Sequence, residues 1–268
     1  MSIDMLSILV TRPGQRGLQL CKRIEAEGDQ AIYLPTIDFA PYQNQKQLTS
    51  WINQLDEQDV IIFTSERAVI AFFDLYFKKN EPIPVKKIAA VGRHTAKLLE
   101  QKGFNVIYPQ HEAGSEGLLH LPQFTSVAHE KIMLITGENG RDFLEKTLRL
   151  RGALVTSMFV YKRILPLLDS THVAHAFKQR KIDAIIAASF DSVHNLKILL
   201  HDVWPLLLKV PLIVVSERIK ILAKDLGFQT IWVTRDTSLQ AFIDMLEEKR
   251  IALCQIKKKM EQQQKKKQ

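Results

Sequence analysis

The chain has 268 residues, 46% hydrophobic and 25% charged, the balance of a folded globular protein and not of a disordered one. Its formal charge is +8, but residues 250–268 hold seven basic side chains against one acidic, so the body keeps only about +2, which speaks against a nucleic-acid groove. Cys21 and Cys254 form no C-x-x-C pair, and no apolar run reaches the roughly 18 residues of a membrane span; a disulfide framework, a cysteine zinc site and a transmembrane helix are all excluded.

The opening "MSIDMLSILVTRPG" is too short an apolar run for a signal peptide, and a cytoplasmic location is expected. Within it, "SILVT" (7–11) reads as a strand. Gln15 to Glu27 places Leu18, Cys21 and Ile24 at helical spacing, with Gly28 as the C-terminal stop. "YLPTIDFAP" (33–41) is extended and proline-bearing. "DVIIFT" from Asp59 and "KIAAV" from Lys87 are strands. Thr95 to Gln101 is helical through Ala96, Leu98 and Leu99, with Gly103 as its stop, and "NVIYP" is the next strand. The pattern then begins again. Because the apolar strands lack strict alternation, they suit a sheet buried on both faces. Strand–helix alternation predicts parallel sheets with right-handed crossovers. The final "KKKMEQQQKKKQ" reads as a disordered, solvated tail from residue 250 onward.

An offset of 124 positions superposes Ile8 on Ile132, Leu20 on Leu144, Gly28 on Gly152 and Gly103 on Gly227. It also lays "DVIIFTS" over "DAIIAAS" and "IAAVG" over "LIVVS". One constant offset over nearly the whole chain means two copies of one α/β unit. The repeat alone suggests a cut near residue 126. The expected fold is two flavodoxin-like (Rossmann-like) domains with parallel sheets and a cleft between them.

Ligands of open α/β sheets bind beyond the carboxyl ends of the strands. The segments there are "TRPGQ", "TSERA", "VGRHT", "TGENGR", "ASFDS" and "VSERI". Each opens a helix, where unpaired N–H groups and the dipole favour anions. The candidate ligand-binding residues are therefore Arg12, Thr64, Ser65, Gly92, Thr95, Gly137, Ser189, Ser216 and Arg218. Each has a bland reading beside it. Arg12 is equally a solvated loop arginine, and Ser65 and Ser189 are helix N-caps in any case. Gly137 would let a carboxylate approach the backbone. Thr95 has Ile219, not a threonine, as its repeat mate. "TGENGR" lacks the lysine and spacing of a nucleotide loop. His172 and His175 share a helical face without a third ligand, so no metal is expected. Tyr161, in "VYKRILP" (160–166), is either half-buried packing or a reactive hydroxyl.

The segments "ILVTRP", "LPTIDFAP", "IIFTSERAV", "AVGRHTAKLLEQKGFNVIYP", "LITGENGRDFLEKTLRLRGALV", "FVYKR" and "VVSERIKILAKDLGF" resemble uroporphyrinogen-III synthase, in family order, over about residues 6–247. The resemblance implies a monomer of two α/β domains. One would comprise residues 1–37 and 165–249, the other residues 38–164, leaving a basic tail at 250–268. Tyr33–Pro41 and Val160–Pro166 would form a two-stranded β connector, where prolines are tolerated.

The same resemblance implies an enzyme without cofactor. Its substrate would be hydroxymethylbilane, a linear tetrapyrrole with eight carboxylates, received after transient contact with hydroxymethylbilane synthase. Loss of the terminal hydroxyl as water, inversion of the last ring and closure would give uroporphyrinogen III. Tyr161 aligns with the tyrosine that assists the departure of water in the family, and is the expected general acid or positioning donor. The competing reading is a non-catalytic two-domain binder of a small polyanion. A nucleic-acid binder acting through the basic tail is the third.

Overall fold

The computed structural model describes residues 5–76, 87–112, 114–138, 140 and 142–265. The chain starts with β1 (Ser7–Val10), α1 (Gly14–Ala26) and β2 (Gln30–Tyr33). It continues through β3 (Asp38–Pro41), α2 (Gln45–Ile52), β4 (Val60–Phe63), α3 (Glu66–Tyr76), β5 (Lys87–Ala90), α4 (Arg93–Glu100) and β6 (Val106–Ile107). Next come α5 (Ser115–Leu119), α6 (Pro122–Thr125), β7 (Lys131–Gly137), α7 (Phe143–Leu150) and β8 (Leu154–Ile164). The last part holds α8 (Thr171–Lys178), β9 (Ala184–Ala187), α9 (Phe190–Leu199), α10 (Trp204–Leu207), β10 (Leu212–Val214), α11 (Glu217–Asp225), β11 (Ile231–Val233) and α12 (Leu239–Lys265).

These elements form two compact units. Met1–Asp38 with Ile164–Gln268 makes the first, and Phe39–Arg163 the second. Among the described residues the first carries a five-stranded sheet in the order β11-β10-β9-β1-β2, and the second a six-stranded sheet in the order β3-β8-β7-β4-β5-β6. β1 pairs in parallel with β2 and β9, and β10 with β9 and β11. β4 pairs in parallel with β5 and β7, β5 with β6, and β7 with β8. Every residue of "SILV", "VIIF", "AIIA" and "LIV" is buried, as strands covered by helices on both faces must be.

The repeat exists in space, but its halves are exchanged. The offset of 124 carries β4 onto β9 residue for residue, and β1 onto the start of β7. Under it the order β11-β10-β9-β1-β2 becomes β6-β5-β4-β7-β8. Each unit thus pairs the opening strand of one copy with the middle strand of the other. The exchange recurs in a polar detail. Asp183 Oδ2 accepts the N–H of Ser7 at 2.8 Å, and its repeat mate Asp59 accepts that of Lys131, the repeat mate of Ser7, at 2.9 Å.

The expected two-stranded connector is present: β3 and the end of β8, Asp38–Pro41 and Val160–Ile164, are neighbours where the chain passes from one unit to the other, and they also continue the second unit's sheet. Tyr42 N–H donates to the Val160 carbonyl at 3.3 Å, alongside. One expectation needs correction. Order does not end at residue 250, because α12 continues to Lys265; residues 266–268 lie outside the described part. Ile243, Leu246, Arg250, Leu253 and Lys257 recur at steps of three and four and form one stripe. Its apolar members are buried, while Arg250 pairs with Asp29 and Lys257 with Asp183 at 3.1 Å. Both carboxylates are 3% exposed and also accept backbone N–H groups at the start of β1. Charges that read as solvated in sequence are in fact the partners of two buried acids.

Candidate active site

In the second unit the chain leaves β4 towards β5 and β6 on one side, and leaves β7 towards β8 on the other. The carboxyl ends of β4 and β7 therefore flank a topological switch point, where helix starts diverge and leave a crevice. Thr64 and Ser65 follow β4 there, and Thr136, Gly137 and Glu138 end β7 or follow it. The Thr64 hydroxyl lies 3.0 Å from that of Thr136 and 3.2 Å from the Ile135 carbonyl, tying the two strand ends together.

A cavity of about 560 Å³ opens at this point. One wall is β8, whose alternate residues Ser157, Phe159, Tyr161 and Arg163 all line it, as the two-residue period of a strand requires. A bulge then adjusts the register: Thr136 stands opposite Phe159, but Gly137 opposite Tyr161. Glu138 N–H donates to the Tyr161 carbonyl at 2.8 Å and closes the bulge.

Tyr161 is 6% exposed, with its ring packed edge-on to Phe39 at 5.5 Å. Its hydroxyl lies 3.3 Å from Ser65 Oγ. Ser65 in turn accepts the N–H of Ala68 at 3.0 Å and so caps α3. The ring has room because residue 137 is glycine. A Cβ on Gly137 would stand 2.5 Å from Cε2 and Cζ of Tyr161 and 2.9 Å from its hydroxyl. The space a Cβ would take at residue 137 is filled by the tyrosine ring. Gly137→Ala is accordingly expected to push Tyr161 out of place, at about 1–3 kcal/mol. Measured by urea unfolding, Gly137→Ala should cost little further in a Tyr161→Ala background, where the collision is absent.

Much of the remaining lining is acidic. Glu145 accepts from Arg149 Nε at 3.0 Å and Nη2 at 2.9 Å, and from Ser157 Oγ at 2.7 Å. Asp142 pairs with Lys146 at 2.6 Å, a hydrogen bond that holds its carboxyl below the usual carboxylate range. Glu138 and Glu116 also line the cavity, with Arg163 as a cation at the rim. Such a lining suits a ligand portion that is neutral or develops positive charge. Ser157 and Glu145 were missed from sequence. The alternation Ser157-Phe159-Tyr161-Arg163 was the available signal, once the strand was known to extend to residue 154.

Thr64, Ser65, Gly137 and Tyr161 thus share the cavity. Asn139 and Arg141 of "TGENGR" lie outside the described residues. Gly92 precedes α4 as its N-cap and Thr95 is buried in its first turn; neither lines the cavity, which Val91 reaches instead. Arg12, Ser189, Ser216 and Arg218 lie in the first unit, beyond the ends of β1, β9 and β10. Ser189 caps α9 by accepting from Ser192 N–H at 3.1 Å, and Ser216 caps α11 by accepting from Ile219 N–H at 3.3 Å. Arg218 is exposed.

The first unit does not repeat the tyrosine site. Under the offset, Pro13 stands for Gly137 and Ile37 for Tyr161. Arg12 stands for Thr136. It is no solvated loop arginine: it is 9% exposed and donates from Nη1 to the Thr237 carbonyl at 3.1 Å. Cys21 supplies no nucleophile in this unit's core either, since burial pushes its thiol up to about 11 and keeps it protonated. His172 and His175 are exposed on α8.

A family model described as uroporphyrinogen-III synthase HemD matches residues 19–244. The uroporphyrinogen-III synthase of Escherichia coli is 32% identical over 248 residues, covering 90% of this chain and 100% of its own. That of Salmonella typhimurium is 32% identical over 250 residues, with the same coverage. The solved uroporphyrinogen-III synthetase of Helicobacter pylori has a TM-score of 0.60 at 15% identity, covering 91% of this chain and 99% of that one. A mutant Thermus thermophilus synthase has a TM-score of 0.58 at 13% identity, covering 93% and 99%. At those identities the solved structures establish the α/β fold with its parallel sheets. The family rests on the model match and on full-length relatives sharing about a third of their residues: the chain belongs to the uroporphyrinogen-III synthase family.

Proposed function

We propose that this protein converts hydroxymethylbilane to uroporphyrinogen III, and that Tyr161 is its general acid. The observation that supports this role is a phenol hydroxyl, a hydrogen-bond donor, held at the wall of a 560 Å³ cavity at a strand-end switch point. Tyr161 gives its proton to the terminal hydroxyl of the substrate as the carbon–oxygen bond breaks, and water leaves. The remaining azafulvenium carbon is electrophilic. The pyrrole ring at the other end of the substrate attacks it through its already substituted α-carbon. The bond from that carbon to its old methylene bridge then breaks, leaving a second azafulvenium there. The ring's free α-carbon closes on that bridge, so that the ring is inverted in the macrocycle. The proton released when the ring regains aromaticity restores the phenol, and the sum is substrate to product plus water.

The acidic lining of Glu138, Asp142 and Glu145 suits the cationic stage. The substrate's own carboxylates find donors at helix starts, with Thr64 and the backbone at the start of α3 beside the second unit's cavity. Arg12, Ser189, Ser216 and Arg218 are the first unit's candidates for the same task, and Gly92 and Thr95 the second unit's outer ones. In this reading the enzyme is a cytoplasmic monomer, needs no cofactor and takes hydroxymethylbilane released by its synthase. Among the described residues no helix is long and apolar enough to cross a membrane.

The experiment supplies hydroxymethylbilane generated in situ by its synthase and separates the uroporphyrin isomers after oxidation. The type III isomer is expected in excess. Only the uninverted isomer, formed at the rate seen without protein, would leave a polyanion binder as the surviving reading.

A further inference from the structure

We infer that Ser65 is a positioning residue that acts through Tyr161, donating its hydroxyl proton to Tyr161 Oη and leaving the phenol proton directed into the cavity. The inference rests on the reading of Tyr161 as the acid and adds the group that prepares it. Hydrogen-bond accounting carries it. Ser65 Oγ accepts the N–H of Ala68 at 3.0 Å, which fixes the oxygen at the start of α3 and occupies one lone pair. Its single proton has Tyr161 Oη at 3.3 Å. The phenol ring cannot turn away from that partner, because Gly137 lies beneath it and Phe39 meets it edge-on at 5.5 Å. When Ser65 donates, the phenol proton is left for the leaving oxygen.

The length of the contact fits this task. At 3.3 Å it is longer than the 2.5–3.0 Å usual between hydroxyls, so it contributes little in the resting state. As Tyr161 gives up its proton, Oη gains negative charge and the bond shortens and strengthens. An interaction worth more in the transition state than before it raises kcat without altering KM. The first unit supplies an internal contrast. The repeat mate Ser189 also caps a helix, but Ile37 stands where a tyrosine would be, and Ser189 Oγ meets Ser192 Oγ at 2.9 Å instead. The same serine is there without a phenol to prepare.

The test is a double-mutant cycle on the full chain. Ser65→Ala should lower kcat roughly fivefold, the scale of one neutral hydrogen bond, with KM unchanged. Ser65→Thr keeps the hydroxyl and the cap and should retain most of the rate. In a Tyr161→Phe background, Ser65→Ala should have no further effect on kcat. An equal fall in both backgrounds would overturn the inference, since Ser65 would then be acting on substrate directly. An undiminished kcat in Ser65→Ala would overturn it as well. If Tyr161→Phe alone left kcat intact, the acid assignment would fail first, a result distinct from either outcome for Ser65. Loss of the helix cap lowers the unfolding midpoint in both backgrounds alike and is read separately.

Discussion

Tyr161→Phe is expected to lower kcat by about 100-fold or more, the usual contribution of a positioned general acid, with KM little changed. The substitution isolates chemistry from packing. The phenylalanine ring keeps the edge-on contact with Phe39 and the seat over Gly137. Only the hydroxyl and its 3.3 Å contact with Ser65 disappear, and stability should change by about 1 kcal/mol or less. Initial rates of type III isomer formation, with urea unfolding of the same preparation, separate the two effects. A variant that turns over at the parental rate would show the hydroxyl to be only the polar end of a core side chain. In that case the acidic lining and the substrate's own groups would have to supply the proton.

The largest effect on stability is expected at Asp183. This carboxylate is 3% exposed and holds both the Ser7 N–H at 2.8 Å and Lys257 Nζ at 3.1 Å. Asp183→Ala leaves the buried Ser7 N–H unsatisfied and removes the counter-charge of the half-buried Lys257, whose Nζ keeps the Met5 carbonyl at 2.8 Å, at about 2–3 kcal/mol. Asp183→Asn keeps a carbonyl for the strand amide but removes the charge that Lys257 faces, and should cost about half as much. Asp59 provides the comparison inside the molecule. It accepts the equivalent amide of Lys131 at 2.9 Å in an exposed setting, so Asp59→Ala should cost about 1 kcal/mol. Hydrogen exchange of the β1 and β9 amides, beside urea unfolding, would place the damage. Equal losses at Asp59 and Asp183 would contradict the weight given to burial and to α12.

Much of this was legible beforehand because it depends on local pattern. Apolar, β-branched runs such as "VIIF" and "AIIA" cannot be solvated on either face and read directly as interior parallel strands. The serines and small residues after those strands read as helix starts, and Ser65, Ser189 and Ser216 do cap. Tyr161 stood out as a polar aromatic in an otherwise apolar and basic stretch. The packing reason for glycine at 137 was not legible, since nothing local reveals that the ring of a residue on the neighbouring strand fills the space where a Cβ would stand. Glu145 and Ser157 escaped notice because their hydrogen bond joins α7 to β8.

The sequence by itself determined two copies of one α/β pattern and the residues that end each strand, since burial and backbone capping act within a few residues. The repeat left the neighbours open, and only the family resemblance implied domains that mix the copies; tertiary structure decided the strand pairs themselves, β1 with β9 and β7 with β4. Equivalent strands offer nearly equivalent edges, and self-similarity cannot say which copy supplies a neighbour. It also decided that Arg250 and Lys257 are structural and not a solvated tail, because their partners Asp29 and Asp183 are buried at strand starts far away in the chain.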